Sequence, residues 1–236
     1  MSTRSASVLS GENISATTFT ANLVMTATEH VIVNSGCWKV GGTTISSVSD
    51  ASNGTYTVAT SKSTSDTDFA TIDQRYKNNI GTGGTITITV TPATGCNGGF
   101  VAESWSGVKT TPTVTTNSTN GSSTTVSSSA VAPSANSLYS ACGAYNTGGP
   151  STFGAVTGGY SNTLKFDENN DAQDVIVSSK SAVSGSQTAT WTISNTGTWA
   201  GLNVAYEEAG GETVTIDKWY RKAEEPARRR FVAVPY

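Results

Sequence analysis

The feature that most constrains the fold is a two-residue alternation that keeps restarting along the chain. Thr85–Val90 reads Thr-Ile-Thr-Ile-Thr-Val, with Gly83-Gly84 before it and Pro92 after it. Successive side chains of an extended strand point to opposite faces, so Ile86, Ile88 and Val90 share one side. The pattern recurs over Thr17–Thr28, Thr55–Thr60 and Gln187–Asn195. His30–Val33, Ser137–Tyr145 and Asp174–Val183 read as more buried strands. Turn chemistry separates them: Gly41-Gly42, the Ser49–Gly54 stretch, and a Gly-rich loop over Thr147–Thr157. Strand signals at roughly 8–12-residue spacing are the pattern of an all-β sandwich or barrel. No βαβ unit is visible, which argues against a parallel α/β sheet. Phe69–Tyr76 and Trp219–Ala227 are the only two places that could form a short helix. Ser61–Asp73 reads as a polar loop, and Lys109–Ser129 as a long connection or a mobile edge.

Composition agrees with strands. Ser and Thr make up 71 of 236 residues, and only 13% of the chain is charged. Thr with Val, Ile and Tyr in short runs favours a pleated surface, and low charge argues against charge-driven disorder. The three cysteines, Cys37, Cys96 and Cys142, show no CxxC spacing. They read as small half-buried residues, with one disulfide and one free thiol as the alternative. The Met1–Ser10 stretch lacks a basic region followed by an apolar one, so folding in a cytoplasm is expected. The apolar runs are too short to span a membrane.

Charge is unevenly spread. Asp217–Arg230 holds six basic and three acidic residues, while the chain as a whole carries −3. The mildly acidic remainder has no nucleic-acid footprint. The tail itself reads as a strand over Thr213–Ile216, an aromatic pair Trp219-Tyr220, a stop at Pro226, and the cluster Arg228, Arg229 and Arg230. Phe231 and Tyr236 stand in an apolar end. Large aromatics and arginines are the residue types that anchor interfaces. The tail therefore reads as a docking device, for its own domain or a neighbouring subunit.

Signals for catalysis are thin. The one histidine, His30, precedes a buried strand and reads as a strand-end polar residue. GxSxG and GxxxxGK[ST] are both missing. Glu103 reads as a structural hydrogen-bonding group before it reads as half of a glycosidase pair. Asp167, Asn169 and Asp171 open like a calcium loop, but Ala172 and Ser178 stand where the pattern needs Gly and Glu. An exposed turn is the better reading. Trp38, Trp105, Trp191 and Trp199 read as core rather than as a stacking platform for sugars. No catalytic residue, metal or cofactor is expected.

Three segments in order carry a resemblance: ISSVSDASNGTYTVA at Ile45–Ala59, QRYKNNIGTGGTITITV at Gln74–Val90, and FVAESWSGV at Phe100–Val108. They resemble a jelly-roll-like β-sandwich domain of bacteriophage structural proteins that is also seen in bacterial surface proteins. The likeness covers about Thr17–Ala209. The tail segment IDKWYRKAEEPARRR is similar to an ending of small phage-type structural proteins. Trp219, Tyr220, Glu225, Pro226 and Arg228 match it, while Ala223 and Ala227 depart from it. The resemblance implies an antiparallel jelly-roll-like sandwich over 17–209, an arm or edge strand over 1–16, and a docking tail over 210–236. It implies a non-enzymatic virion subunit made in a host cytoplasm, whose partners are other virion proteins, copies of itself and a possible host-surface glycan. A surface adhesin or carbohydrate-binding module is the rival expectation.

Overall fold

The structure is a computed structural model, and it describes residues 1–10, 13–64, 68–81, 83–147, 149–167 and 174–210. It is built of antiparallel strands, and no helix occurs among the described residues. The all-β sandwich expectation holds, with more layers than one sandwich needs.

The first half of the chain forms two sheets. β1 (Thr3–Leu9) and β2 (Asn13–Ala16) run along β10 (Cys96–Ser106). The N-terminal stretch is thus an edge strand of the sheet. β10 pairs with β4 (Glu29–Val40), which pairs with β8 (Asp68–Ile80), and β7 (Thr57–Ser63) closes the other edge. The second sheet has the order β3 (Phe19–Met25), β9 (Gly84–Pro92), β5 (Ile45–Asp50) and β6 (Gly54–Thr55). The β5–β6 turn forms because the Asp50 carboxylate accepts the Ser52 and Asn53 amides at 2.9 and 2.8 Å. Gly54 then takes a positive φ of 72°, which costs glycine nothing.

The second half forms a third sheet: β11 (Val114–Ser127), β16 (Thr190–Glu207), β12 (Ser137–Asn146), β15 (Asp174–Val183) and β14 (Ser161–Asp167). β13 (Phe153–Val156) pairs with β16 as well.

The first sheet lies in the middle, and the alternation of β4 shows why. Val31, Val33 and Cys37 face the β3–β9–β5 sheet and join Phe19, Leu23, Val48, Ile88 and Val90 in one core. Ile32 and Trp38 face the third sheet and join Leu138, Cys142, Val177, Leu202 and Val204 in another. A strand buried on both faces must be apolar at odd and even positions, as β4 largely is. A polar seam crosses this second core. The Gln74 amide donates to Asn34 Oδ1 at 2.5 Å and to Ser140 Oγ at 2.8 Å, and the Tyr206 hydroxyl donates to Gln74 Oε1 at 3.3 Å. Buried groups of this kind need their partners, so the seam admits one alignment of the two halves.

A third core covers the outer face of the last sheet. There the end of β11 and the start of β16 fold back over their own sheet, placing Val126 and Trp191 against Gly143. Gly143 and Gly201 are cross-strand partners. A Cβ on Gly201 would overlap the Ser127 carbonyl. This glycine pair is what lets the fold-back lie flat.

Several expectations are corrected. Phe69–Tyr76 is not helical: it belongs to β8, whose hydrogen bonds go to β4 and β7 on either side. The end of β7 and the start of β8 together replace most of the loop expected over Ser61–Asp73. Of the two readings of Lys109–Ser129, the edge holds and the free connection does not: 14 of its residues form β11, the outermost strand beside β16. The Gly-rich loop holds β13. The cysteines are not half-buried: Cys37 and Cys96 are bonded across β4 and β10, and Cys142 is free and buried.

Candidate functional site

The residues expected to dock a partner, Trp219, Tyr220, Arg228, Arg229, Arg230, Phe231 and Tyr236, lie outside the described residues. The structure describes instead the root from which that segment leaves. β16 sits between β11 and β12, so the chain emerges from the interior of a sheet rather than from its edge. Past the strand, the Glu208 amide donates to the Asn136 carbonyl at 3.0 Å and the Ala209 amide to the Gly107 carbonyl at 2.8 Å. Lys109 pairs with Glu207, whose other oxygen accepts the Thr113 hydroxyl at 2.9 Å. These contacts hold the Glu207 carboxyl below the usual carboxylate range. A groove of about 270 Å³ opens at this point, lined by Lys109, Asn136, Glu207, Ala209 and Gly210 among others.

Glu208 is the centre of the root. Its Oε1 accepts the Ser2 amide at 2.9 Å, the Ser2 hydroxyl at 2.6 Å and the Ala182 amide at 2.9 Å. Ala182 offers that amide from a left-handed conformation, φ 59°, beside a bulge where β15 meets β12. Burial pushes the Glu208 carboxyl up, but the three donors and the Met1 ammonium, 3.5 Å from Oε2, outweigh it and hold it low. Sequence reasoning missed this residue. The only local sign was a pair of glutamates ending a strand in a charge-poor body.

The other carboxylates are also inside. Glu29, Asp50, Asp73, Glu103, Asp174 and Glu208 are all buried, whereas Lys39, Lys62, Lys77, Lys165 and Lys180 are part-exposed. Asp73 pairs with Arg75 at 2.8 Å, and Arg75 also donates to the Ile45 and Ser46 carbonyls beside a bulge in β5. Glu103 pairs with Arg4 at 3.0 Å. Burial raises the Glu103 pKa and Arg4 offsets part of the rise. Asp174 accepts the Tyr145 hydroxyl at 2.5 Å and lies 3.5 Å from Lys165. Each carboxylate thus serves a structural contact of its own.

Catalytic and metal-binding arrangements gain nothing from this geometry. His30 is 3% exposed and packs against Tyr76 and Tyr206. Burial lowers its pKa to about 3, against a smaller opposing pull from Asn78, so it is neutral near pH 7. No group of three or more His, Cys, Asp or Glu suited to a metal occurs among the described residues. Most of the Asp167–Asp171 segment lies outside them.

Trp38, Trp105, Trp191 and Trp199 are all buried, at 1–8% exposure. None of these four offers a ring for stacking on a sugar. A hollow of about 430 Å³ lies at the end of β4 remote from Glu29, between Gly41–Thr44, Ser63, Thr71 and Ala93-Thr94. Its hydroxyls bond one another: Thr94 Oγ1 donates to Thr43 Oγ1 at 3.0 Å, and Ser63 and Thr71 are 2.9 Å apart.

Comparison with family models, with curated proteins and with solved structures gave no match.

Proposed function

We propose that this chain is a non-enzymatic structural subunit of a bacteriophage particle, with a jelly-roll-type body and a docking tail. A capsid decoration, head-fibre or tail-associated place fits such a subunit. Its partners are neighbouring virion proteins and other copies of itself.

The observation that carries the reading is a contrast of chemistry within one chain. The body spends its carboxylates on internal latches and presents a surface rich in Thr and Ser. Six of the 14 basic residues and the aromatic pair Trp219-Tyr220 stand after the root. Burial of aromatic and apolar area together with arginine–carboxylate pairing is how such a segment holds a partner. The root begins inside a sheet and is tied to it by hydrogen bonds, which suits a segment that transmits load to its own body.

Removing residues after Ala209 tests this. The shortened chain is expected to fold and to be lost from assembled particles, measured by its stoichiometry in purified particles. Incorporation at the full level would reject the docking role.

A second reading, a glycan-binding surface module, is favoured by one observation: the hydroxyl-lined hollow at the end of the body away from the tail root. Binding of neutral glycans on an array, abolished by Thr43→Val with Thr94→Val, would move the assignment toward it.

A further inference from the structure

Four segments far apart in sequence meet around Glu208. They are the N-terminal residues Met1-Ser2, the connector Gly107–Lys109 between the two halves, the bulge at Ala182, and the tail root Glu207–Ala209. Ser2 and Glu208 are 206 positions apart and share two hydrogen bonds. Gly107, at φ 77°, has no room for a Cβ because the Met1 backbone lies against it. The Gly107 carbonyl in turn accepts the Ala209 amide. Contact between the N-terminal strand and the tail root is therefore direct on one side and relayed through the connector on the other.

Besides the Glu208 contacts, β1 is held at this end by its β10 ladder and by the Arg4–Glu103 pair. It is an edge strand whose ladder runs to β10 alone. Its residues alternate between exposed and half-buried, and Ala6 and Val8 are its contribution to a core. A strand with few buried apolar contacts belongs to the least stable part of a fold. Three donors on one buried carboxylate oxygen make a charge-assisted anchor, which is stronger than neutral hydrogen bonds.

We propose that Glu208 couples the seating of β1 to the position of the tail root, so that drawing the tail out of line loosens the N-terminal strand. The displacement moves Glu208 away from Ser2 and Ala182 together, because one oxygen serves both. The Ser2 end of β1 then frays from Ser106 inward, and the edge of β10, buried along most of its length, becomes available to another strand. A change at the tail is in this way felt in the opposite half of the molecule. The coupling stands apart from the docking role of the tail and is tested without a particle.

Amide hydrogen exchange on the full-length chain at neutral pH is the measurement. In Glu208→Ala, the amides of β1 and of Ala182 are expected to exchange together, about tenfold faster or more. That is the factor equivalent to losing one hydrogen bond to a charged group. Central strands β4 and β12 are expected to keep their protection, which shows that the variant is folded. Glu208→Gln retains one acceptor oxygen and is expected to restore part of the effect. Ala209→Pro leaves Glu208 in place but removes the amide that ties the root to Gly107. It is expected to speed β1 as well. Wild-type protection of β1 in Glu208→Ala, or in Ala209→Pro, overturns the coupling. So does opening of β1 while Ala182 stays protected.

Discussion

His30 lies at the boundary of the two halves, with ring centroids 5.6 Å from Tyr76 and 4.6 Å from Tyr206. Its pKa falls from 6.5 to about 3 because burial disfavours the charged ring. Above about pH 6.5 the imidazole is neutral in folded and unfolded chains, and it adds no pH dependence. Below that, the unfolded chain binds a proton that the folded chain refuses, so stability falls as pH drops from 6.5 toward 3. Asp73 and Glu103 act oppositely, since their raised pKa values let the folded state bind protons first. The histidine contribution is therefore read as a difference. His30→Phe keeps an aromatic ring in the site, and its stability is expected to fall less steeply than the wild type's between pH 6.5 and 5. Denaturant unfolding at several pH values checks this, and equal slopes would contradict it. Glu207 and Glu208, with lowered pKa values, lose their contribution as pH falls through the ordinary carboxylate range and below it, which lies under the pH 6.5–5 window.

Among the elements, β16 departs most from its sequence pattern. Gln187–Asn195 reads as a short alternating strand, yet Thr190–Glu207 is one strand of 18 residues. Its first part folds over the outer face of its own sheet, and the last part enters the core between the halves. What makes this possible is the missing side chain at Gly143 and Gly201, a need that no local pattern announces. Gly201→Ala is expected to cost about 1–3 kcal/mol, as overpacking does. Trp191 fluorescence should report the fold-back loosening. Gly81, whose added Cβ would meet nothing within 4 Å, is the control: Gly81→Ala is expected to stay within about 0.5 kcal/mol of wild type. Calorimetry or denaturant melts of both variants distinguish a steric effect at Gly201 from a general sensitivity of glycines.

At the scale of the whole molecule, the two halves share a core and a polar seam, so they should unfold as one unit. The Cys37–Cys96 bond offers a test, because it staples only the first half. Closing a loop of 59 residues corresponds to about 4 kcal/mol in the chain-entropy picture. Cys37→Ser with Cys96→Ser is expected to lower the unfolding midpoint seen by tryptophans of the second half, Trp191 and Trp199, as much as that seen by Trp38 and Trp105. A midpoint for Trp191 and Trp199 that does not move would mean that the halves unfold separately. Single-tryptophan variants make the two readings separable.

Much of the local architecture was legible before folding was considered. The face shared by Ile86, Ile88 and Val90, the turns at Gly41-Gly42 and Asn53-Gly54, and the burial of four tryptophans follow from backbone period, turn chemistry and side-chain size. These are short-range properties, so the sequence by itself determined them. The strand at Phe69–Tyr76 was not legible, because Ile-Asp-Gln-Arg-Tyr carries polar groups that make sense only between two packed faces. The choice of Cys37 and Cys96 as partners, the burial of nearly every described carboxylate, and the meeting of Ser2 with Glu208 were decided only by the tertiary structure. The two pairings join residues 59 and 206 positions apart, and they, like the burial of the carboxylates, depend on which sheets pack together.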